Sequence, residues 1–448
     1  MPKENAMPPL NQPIAKRINA DILIESLEHH FITAILGARR VGKSTWLQWI
    51  MAQHPERQWI VLNMDILSQR DKITASGLHN EIEKKALQKI GTGEKLWVVI
   101  DEAQKCPELF EQVKVIYDSF KDTNTIKFVL TGSASLDLHN LSAESLAGRV
   151  ELLHMREFSI KEAAMYQHSL KSTGDSVLEA IVNEPDSVAD IIEQASPYQD
   201  ILQQALDFQL IFGGLPELMQ LETDRERFRY LDQYVQSYLE KDVRRIADIT
   251  DLPLFQKLLQ VLAEHTGSLR DDARLLDALG CARNTLKKYR NYLVATMVYY
   301  EVYPVINNSL KRIIKSPKGY VTNNGVLSVL TGLDTLDVLK SSSHIGHRFE
   351  NWFLKEVQIW LDRDVKRHQI YYWQTITGTE VDFIVEQKPR LIPFEVTYRS
   401  RVDSKKLKNL ATFMDKTDKA SVGVLIYNGE YIFKPELNIH CIPAWAIG

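Results

Sequence analysis

The chain is poor in the features that mark secreted or membrane-bound proteins. Its 3 cysteines, Cys106, Cys281 and Cys441, are far apart and odd in number, which excludes a disulfide framework and a paired-cysteine metal site. Long hydrophobic runs are missing: stretches such as LWVVI ahead of Asp101 fall far short of the roughly 20 residues a membrane helix needs. An excess of positive charge is missing too. With 54 Lys+Arg against 58 Asp+Glu the net charge is -4, so the chain lacks the overall field of a nucleic-acid coat, and any such contact must come from a local patch. The opening MPKENAMPPLNQP has no apolar stretch and reads as a flexible leader, not a signal peptide. Together with the sparse cysteines this implies a cytoplasmic protein with no membrane partner.

What is present is an ordinary globular composition, 44% hydrophobic and 25% charged over 448 residues; at roughly 100–200 residues per domain this predicts two to four domains. The apolar runs FITAIL (31–36), WIVLNM (59–64), LWVVI (96–100) and KFVLT (127–131) alternate with helical segments, the pattern of a parallel sheet covered by helices. Residues 156–250 show helical periodicity and no comparable strand series, so they are expected to form a helical lid and connector. From 251 to 305 the order is three short helices and then the β-rich VYYEVYPVI, the order of a winged helix-turn-helix. A connector over 306–342 leads to a final α/β segment, 343–448, with strands IYYWQ, EVDFIVE, LIPFEVTY and SVGVLIY.

The strongest chemical signal is Gly37-Ala-Arg39-Arg40-Val41-Gly42-Lys43-Ser44 followed by Thr45, which fits G-x-x-x-x-G-K-[ST] between a strand and a helix. Glycines let successive backbone N–H groups face phosphates, and the helix N-terminus adds a favourable dipole. In such a loop Lys43 reaches the β- and γ-phosphates of ATP and the Ser44 hydroxyl ligates Mg2+. Asp101-Glu102 follows the third apolar run, where a parallel strand ends beside the loop. Asp101 is then placed for the metal and Glu102 to align or deprotonate the attacking water. Two further candidates are Ser133 in LTGSAS, for sensing the γ-phosphate, and Arg149 in LAGRV, for transition-state charge.

Two more regions carry candidate chemistry. Arg283, Lys287, Lys288 and Arg290 place four positive charges between Ala282 and Leu293 without an acid, a stripe suited to DNA phosphates, although winged helices also dock proteins. In the last segment Glu350, Asp382 and Glu395 sit among apolar residues and are expected to converge. The basic run Arg399, Arg401, Lys405, Lys406, Lys408 adds a possible backbone-binding surface; a charged helix start explains it equally simply.

GARRVGKST, the strand ending in DEAQ, LTGS, and LAGRV followed by REFSIKE resemble the AAA-type ATPases, in particular bacterial and archaeal proteins whose N-terminal ATPase is joined to a C-terminal domain of uncharacterised function. The resemblance continues through Phe212-Gly-Gly-Leu-Pro216, Tyr238-Leu-Glu-Lys-Asp242 and Gly378-Thr-Glu-Val-Asp382. It implies an α/β chain with an AAA-type ATPase domain over residues 1–155, a trans-acting role for Arg149, and self-association in a ring such as a hexamer. The order of acids in the last hundred residues looks like the restriction-endonuclease type fold, in which a helix glutamate, a hairpin aspartate and an E-x-K strand gather Mg2+ for phosphodiester cleavage. Thr397 stands where that pattern has lysine; Lys405 or Lys406 on the next helix is the alternative source of that charge, and the expectation is a catalytically degenerate nuclease fold kept for binding. Two functions follow from these expectations: a motor or remodeller acting on DNA, branched or damaged DNA included, or a STAND-type signalling or defence switch whose C-terminal domain docks a protein.

Overall fold

The computed structural model describes residues 17–29, 32–133, 146–238, 249, 251–305, 316–363 and 368–448. The leader, Ala134 and Ser135 of LTGSAS, and residues 239–242 of the YLEKD motif lie outside the described residues. The chain divides into two compact units, one over residues 1–157 with 295–297 and one over 158–294 with 298–448.

In the first unit the four expected apolar runs are strands β1 (Ile32–Gly37), β2 (Gln58–Asn63), β3 (Leu96–Asp101) and β4 (Ile126–Ser133). Helix α1 (Lys43–Gln53) follows β1, and α2 (Glu108–Phe120) lies between β3 and β4. A fifth strand, β5 (Val150–His154), falls at the end of the expected ATPase segment. VELLH is too short and too mixed in polarity to stand out in the sequence; its pairing with β1 creates it, Leu36 standing opposite His154. The sheet order is β2-β3-β4-β1-β5, and every neighbouring pair is parallel. β1 and β3 are buried along their whole length, as strands covered on both faces must be. The helix α2 buries Leu109, Phe110, Val113, Ile116 and Phe120 against that layer, an i, i+3, i+4 stripe.

The order of strands matters for chemistry. β4 is inserted between β1 and β3, so the carboxyl ends of these three strands open side by side, the usual place for ligands in an open parallel sheet.

The second unit begins with helices, among them Ile160–His168, opened by a Ser159–Glu162 capping box, and Gln199–Phe212. Three helices follow over Leu252–Glu264 (α3), Asp272–Leu279 (α4) and Arg283–Ala295 (α5). Asp251 and Asp271 cap α3 and α4 by accepting from Leu254 N and Arg274 N. Strands β6 (Ser268–Leu269), β7 (Tyr299–Pro304) and β8 (Lys318–Val321) pair antiparallel around them. After helix α6 (Ile345–Leu361) come β9 (Gln369–Gln374), β10 (Glu380–Gln387), β11 (Arg390–Val396), helix α7 (Ser404–Met414), β12 (Gly423–Tyr427), β13 (Ile432–Lys434) and β14 (Ile439–Pro443).

From sequence alone a winged helix at 251–305, its strands included, and an α/β segment at 343–448 are expected as separate modules with a connector between. The strands do not stop at that division. β7 pairs parallel with β9, Tyr303 opposite Tyr371, and the described strands form one sheet of order β13-β14-β12-β11-β10-β9-β7-β8-β6. β8 lies inside the supposed connector; a four-residue strand containing glycine gives little period-2 signal for sequence to reveal.

Candidate functional site

The glycine loop between β1 and α1 is built by two residues that tolerate no side chain. Gly42 caps α1 with φ 98°, a left-handed conformation costly for other residues. A Cβ on Gly37 would lie 2.2 Å from Met155 O. Val41 is buried and Arg40 also has positive φ, 62°. Lys43 turns back into the loop, its Nζ donating to Gly37 O and Ala38 O at 2.9 Å each. It is thereby held at the mouth of the loop with both acceptors on the loop itself. Arg39 is half-buried, whereas Arg40 and Thr45 are exposed.

The two other strand ends meet this loop. Ser44 Oγ donates to Asp101 Oδ2 at 2.8 Å, and Thr131 Oγ1, at the end of β4, donates to Asp101 Oδ1. Asp101 is only 4% exposed, so these hydroxyls supply the partners a buried carboxylate requires. Glu102 leaves the strand in a left-handed conformation, φ 56°, and accepts from Gln104 Nε2 at 2.8 Å, with Lys105 Nζ 3.6 Å away. Burial pushes the Glu102 carboxyl above the usual range; Lys43 opposes this and Asp101 reinforces it. Set beside the phosphate loop, an acid raised in this way holds a proton more readily than an ordinary glutamate.

Ser133 stands opposite Gly37 in the β1–β4 register, which places its backbone at the loop. Arg149 is half-exposed and gives both ends of its guanidinium to Asp118, Nε to Oδ1 at 2.8 Å and Nη2 to Oδ2 at 2.9 Å. Thr131, Gln104 and Lys105 are contacts that the sequence reading did not single out. Thr131 alone left a signal, a hydroxyl directly after the apolar run FVL of a buried strand.

In the second unit the expected basic stripe on α5 divides. Arg283, Lys287 and Lys288 are exposed. Arg290 is 7% exposed and points inward, its Nη1 2.7 Å from Asp272 and its Nε 3.1 Å from Glu301. Arg290 is therefore removed from the DNA-facing stripe: acids on α4 and β7, distant in sequence, neutralise it.

Glu350, Asp382 and Glu395 do converge, on α6, β10 and β11. Of the two lysines on the next helix that the sequence offers in place of Thr397, Lys406 is the one that reaches these acids. Lys406, on α7, puts Nζ 2.7 Å from Asp382 Oδ2 and 2.5 Å from Glu395 Oε2. A second lysine, Lys318 on β8, pairs with Glu380 and lies 3.9 Å from Asp382; sequence gave no hint of it. Burial alone would raise Asp382, but the Lys406 and Lys318 ammoniums more than reverse this and hold it well below the carboxylate range. Glu395 moves up, from burial and the adjacent Asp382 charge, and Glu350 is pushed up to about 8 for the same reasons.

The glycine-rich loop, Lys43 and Ser44 at the start of α1, and the Asp101-Glu102 pair at the end of β3 thus form one site at the carboxyl edge of the parallel sheet. Residues 29–164 match a family model described as "AAA domain". Residues 203–337 and 345–447 match models described as domains of unknown function, DUF8612 and DUF4143. Among curated relatives, the uncharacterized protein Rv2008c of Mycobacterium tuberculosis is 25% identical over 434 residues, 96% of this chain and 84% of that one. The uncharacterized protein MJ1544 of Methanocaldococcus jannaschii is 23% identical over 444 residues, 96% of this chain and 91% of that one. Among solved structures, the Walker-type ATPase PABY2304 of Pyrococcus abyssi aligns with 18% identity and a TM-score of 0.45, covering 73% of this chain and 99% of that one. The ORC2 protein of Aeropyrum pernix aligns with 11% identity and a TM-score of 0.37, covering 74% and 98%. No helix among the described residues is long and apolar enough to cross a membrane.

Proposed function

We propose that the protein hydrolyses ATP to ADP and phosphate and uses the cycle for conformational work on DNA. The observation that carries the first half is the convergence of three strand ends: Ser44, Asp101 and Thr131 form one hydrogen-bonded cluster that Glu102 N joins through Thr131, and Lys43 is held at the adjoining loop by Gly37 O and Ala38 O. The donor set fits Mg2+, a hard cation that takes oxygen ligands, because the Ser44 hydroxyl and the Asp101 carboxylate already face each other at 2.8 Å. When bound there, the ion neutralises phosphate charge.

The chain's own groups do the rest. Backbone N–H groups of 37–44 wrap the phosphates, and the Lys43 ammonium leaves its carbonyl partners for phosphate oxygens. Glu102 orients the water, taking its proton as the oxygen attacks the γ-phosphorus and the bond to ADP breaks. Little covalent assistance is needed, so alignment and charge set the rate. Ser133 near the γ-phosphate and Arg149 acting across a subunit boundary complete this reading, in an assembly such as a hexameric ring. In that assembly Arg149 must exchange Asp118 for a phosphate of the neighbouring subunit.

For the DNA part, support comes from the exposed charges Arg283, Lys287 and Lys288, read as one face of a winged helix, and from Arg399, Arg401, Lys405 and Lys408. These solvated cations suit phosphate contacts without base reading. The test is steady-state ATP turnover with and without single-stranded, duplex and four-way DNA over a salt series. Stimulation by DNA that fades steeply with salt supports this function. Turnover indifferent to every DNA overturns it in favour of a nucleotide switch acting on a protein partner.

A further inference from the structure

The acid centre of the second unit holds two carboxylates that a divalent cation would bridge, and an amine lies between them. Lys406 Nζ is within 2.7 Å of both Asp382 Oδ2 and Glu395 Oε2. Further donors surround the pair: Val396 N donates to Asp382 Oδ2 and Asn409 Nδ2 to Glu395 Oε1, each at 2.9 Å, while the Lys318 ammonium lies 3.9 Å from Asp382 Oδ1, an ion pair without a hydrogen bond. Hard divalent cations need free lone pairs from several oxygens at once. Here the Lys406 ammonium holds the oxygens through which the two carboxylates would share a cation, and among the described residues no group of three or more His, Cys, Asp or Glu is arranged to hold a metal ion. The donor set of the restriction-endonuclease resemblance therefore does not fit a divalent cation while Lys406 is in place.

We propose that the Lys406 ammonium is a built-in counter-ion standing where such a centre would hold its metal, and that this one side chain decides whether the centre binds a divalent cation. Asp382 and Glu395 are 5% and 1% exposed; two buried carboxylates side by side require positive charge. Lys406 is delivered by a fixed element, since α7 is capped by Asp403 and anchored by buried Leu410 and Phe413. Its side chain is 22% exposed, so the position it fills is reachable from solvent. Without its charge, Lys318 still faces Glu350, Glu380 and Asp382, but Glu395 loses its ammonium partner. Glu350 Oε2 is moreover buried with no hydrogen-bond partner, a further oxygen that a dication can use. This inference is independent of the ATPase reading.

The experiment is Mn2+ binding to the full, nucleotide-free chain by calorimetry and electron paramagnetic resonance. Wild-type protein and Lys406→Arg are expected to show a stoichiometry that Asp382→Asn leaves unchanged. Lys406→Met keeps the length of the side chain and loses its charge; it gains one Mn2+ per chain, and adding Asp382→Asn removes it. Thermal unfolding gives a second readout: EDTA lowers the midpoint of Lys406→Met, Mn2+ restores it, and the wild type responds to neither. Lys406→Gln, which retains a donor for the two carboxylates, serves the same comparison if Lys406→Met does not fold. A wild-type Mn2+ site lost on Asp382→Asn overturns the proposal, and so does a folded Lys406→Met or Lys406→Gln that gains none.

Discussion

Replacing Arg290 by alanine separates a structural cation from a ligand-binding one. Its side chain is 9% exposed and bridges Asp272, 35% exposed, and Glu301, 11% exposed. Arg270 contacts the same two acids at 3.1 and 2.8 Å, so the four charges balance two against two. Removing one member of a buried pair costs about 3–5 kcal/mol. Arg270 remains and Asp272 reaches solvent, which brings the expected loss to about 2–3 kcal/mol. At about 2–4 °C per kcal/mol for units of this general size, the unfolding midpoint falls by about 4–12 °C. Urea and thermal unfolding of the second unit's transition measure it, and added salt changes the loss little because buried pairs are weakly screened. Lys287→Ala and Lys288→Ala, both exposed, stay within about 0.5 kcal/mol of wild type but weaken DNA retention. Wild-type stability in Arg290→Ala, accompanied by weakened DNA binding, would refute the reasoning and return Arg290 to the phosphate-facing stripe.

Other perturbations probe the two acid–base centres. Lys43→Ala removes a charge-assisted phosphate contact and lowers ATP affinity about 10- to 100-fold; fluorescent-nucleotide titration checks it. Glu102→Gln retains nucleotide and slows hydrolysis about 10²- to 10⁴-fold. In the wild type, turnover falls as acid protonates Glu102, at a pH above the ordinary glutamate range because its carboxyl is raised; a pH–rate profile of both proteins shows whether that limb disappears. Glu350, raised to about 8, holds a proton in the fold that the unfolded chain gives up near 4.5. The folded state binds more protons in that window, so stability declines as pH rises from about 4.5 to about 8. Glu350→Gln removes that part of the slope in pH-dependent melting curves.

The ATPase core was legible because its physics is local. Strands buried on both faces are written as continuous β-branched runs, and a phosphate loop needs glycine, lysine and serine at fixed spacing wherever it occurs. Where the reading failed, long-range partners decide. Nothing near Arg290 in sequence announces that Asp272 and Glu301 will enclose it. Sequence offered Lys405 and Lys406 together as replacements for the lysine absent at Thr397, and only the packing of α7 against β10 and β11 selects Lys406. Lys318 was invisible for the same reason: its role depends on β8 joining a sheet whose other members lie far along the chain. The short β5 is likewise a product of pairing, since its residues carry no strong strand preference by themselves.

The union of β7 with β9 sets a rule for dissecting the molecule. A fragment cut at the apparent boundary near 343 would carry β9 with one flank stripped of its neighbour, presenting Tyr371 and Tyr372 on an unprotected edge, the kind of surface that recruits stray strands. It would also leave behind the Lys318 that balances Glu380 and Asp382. Insolubility of such a truncation would report an amputated sheet, and a useful cut must fall before β6.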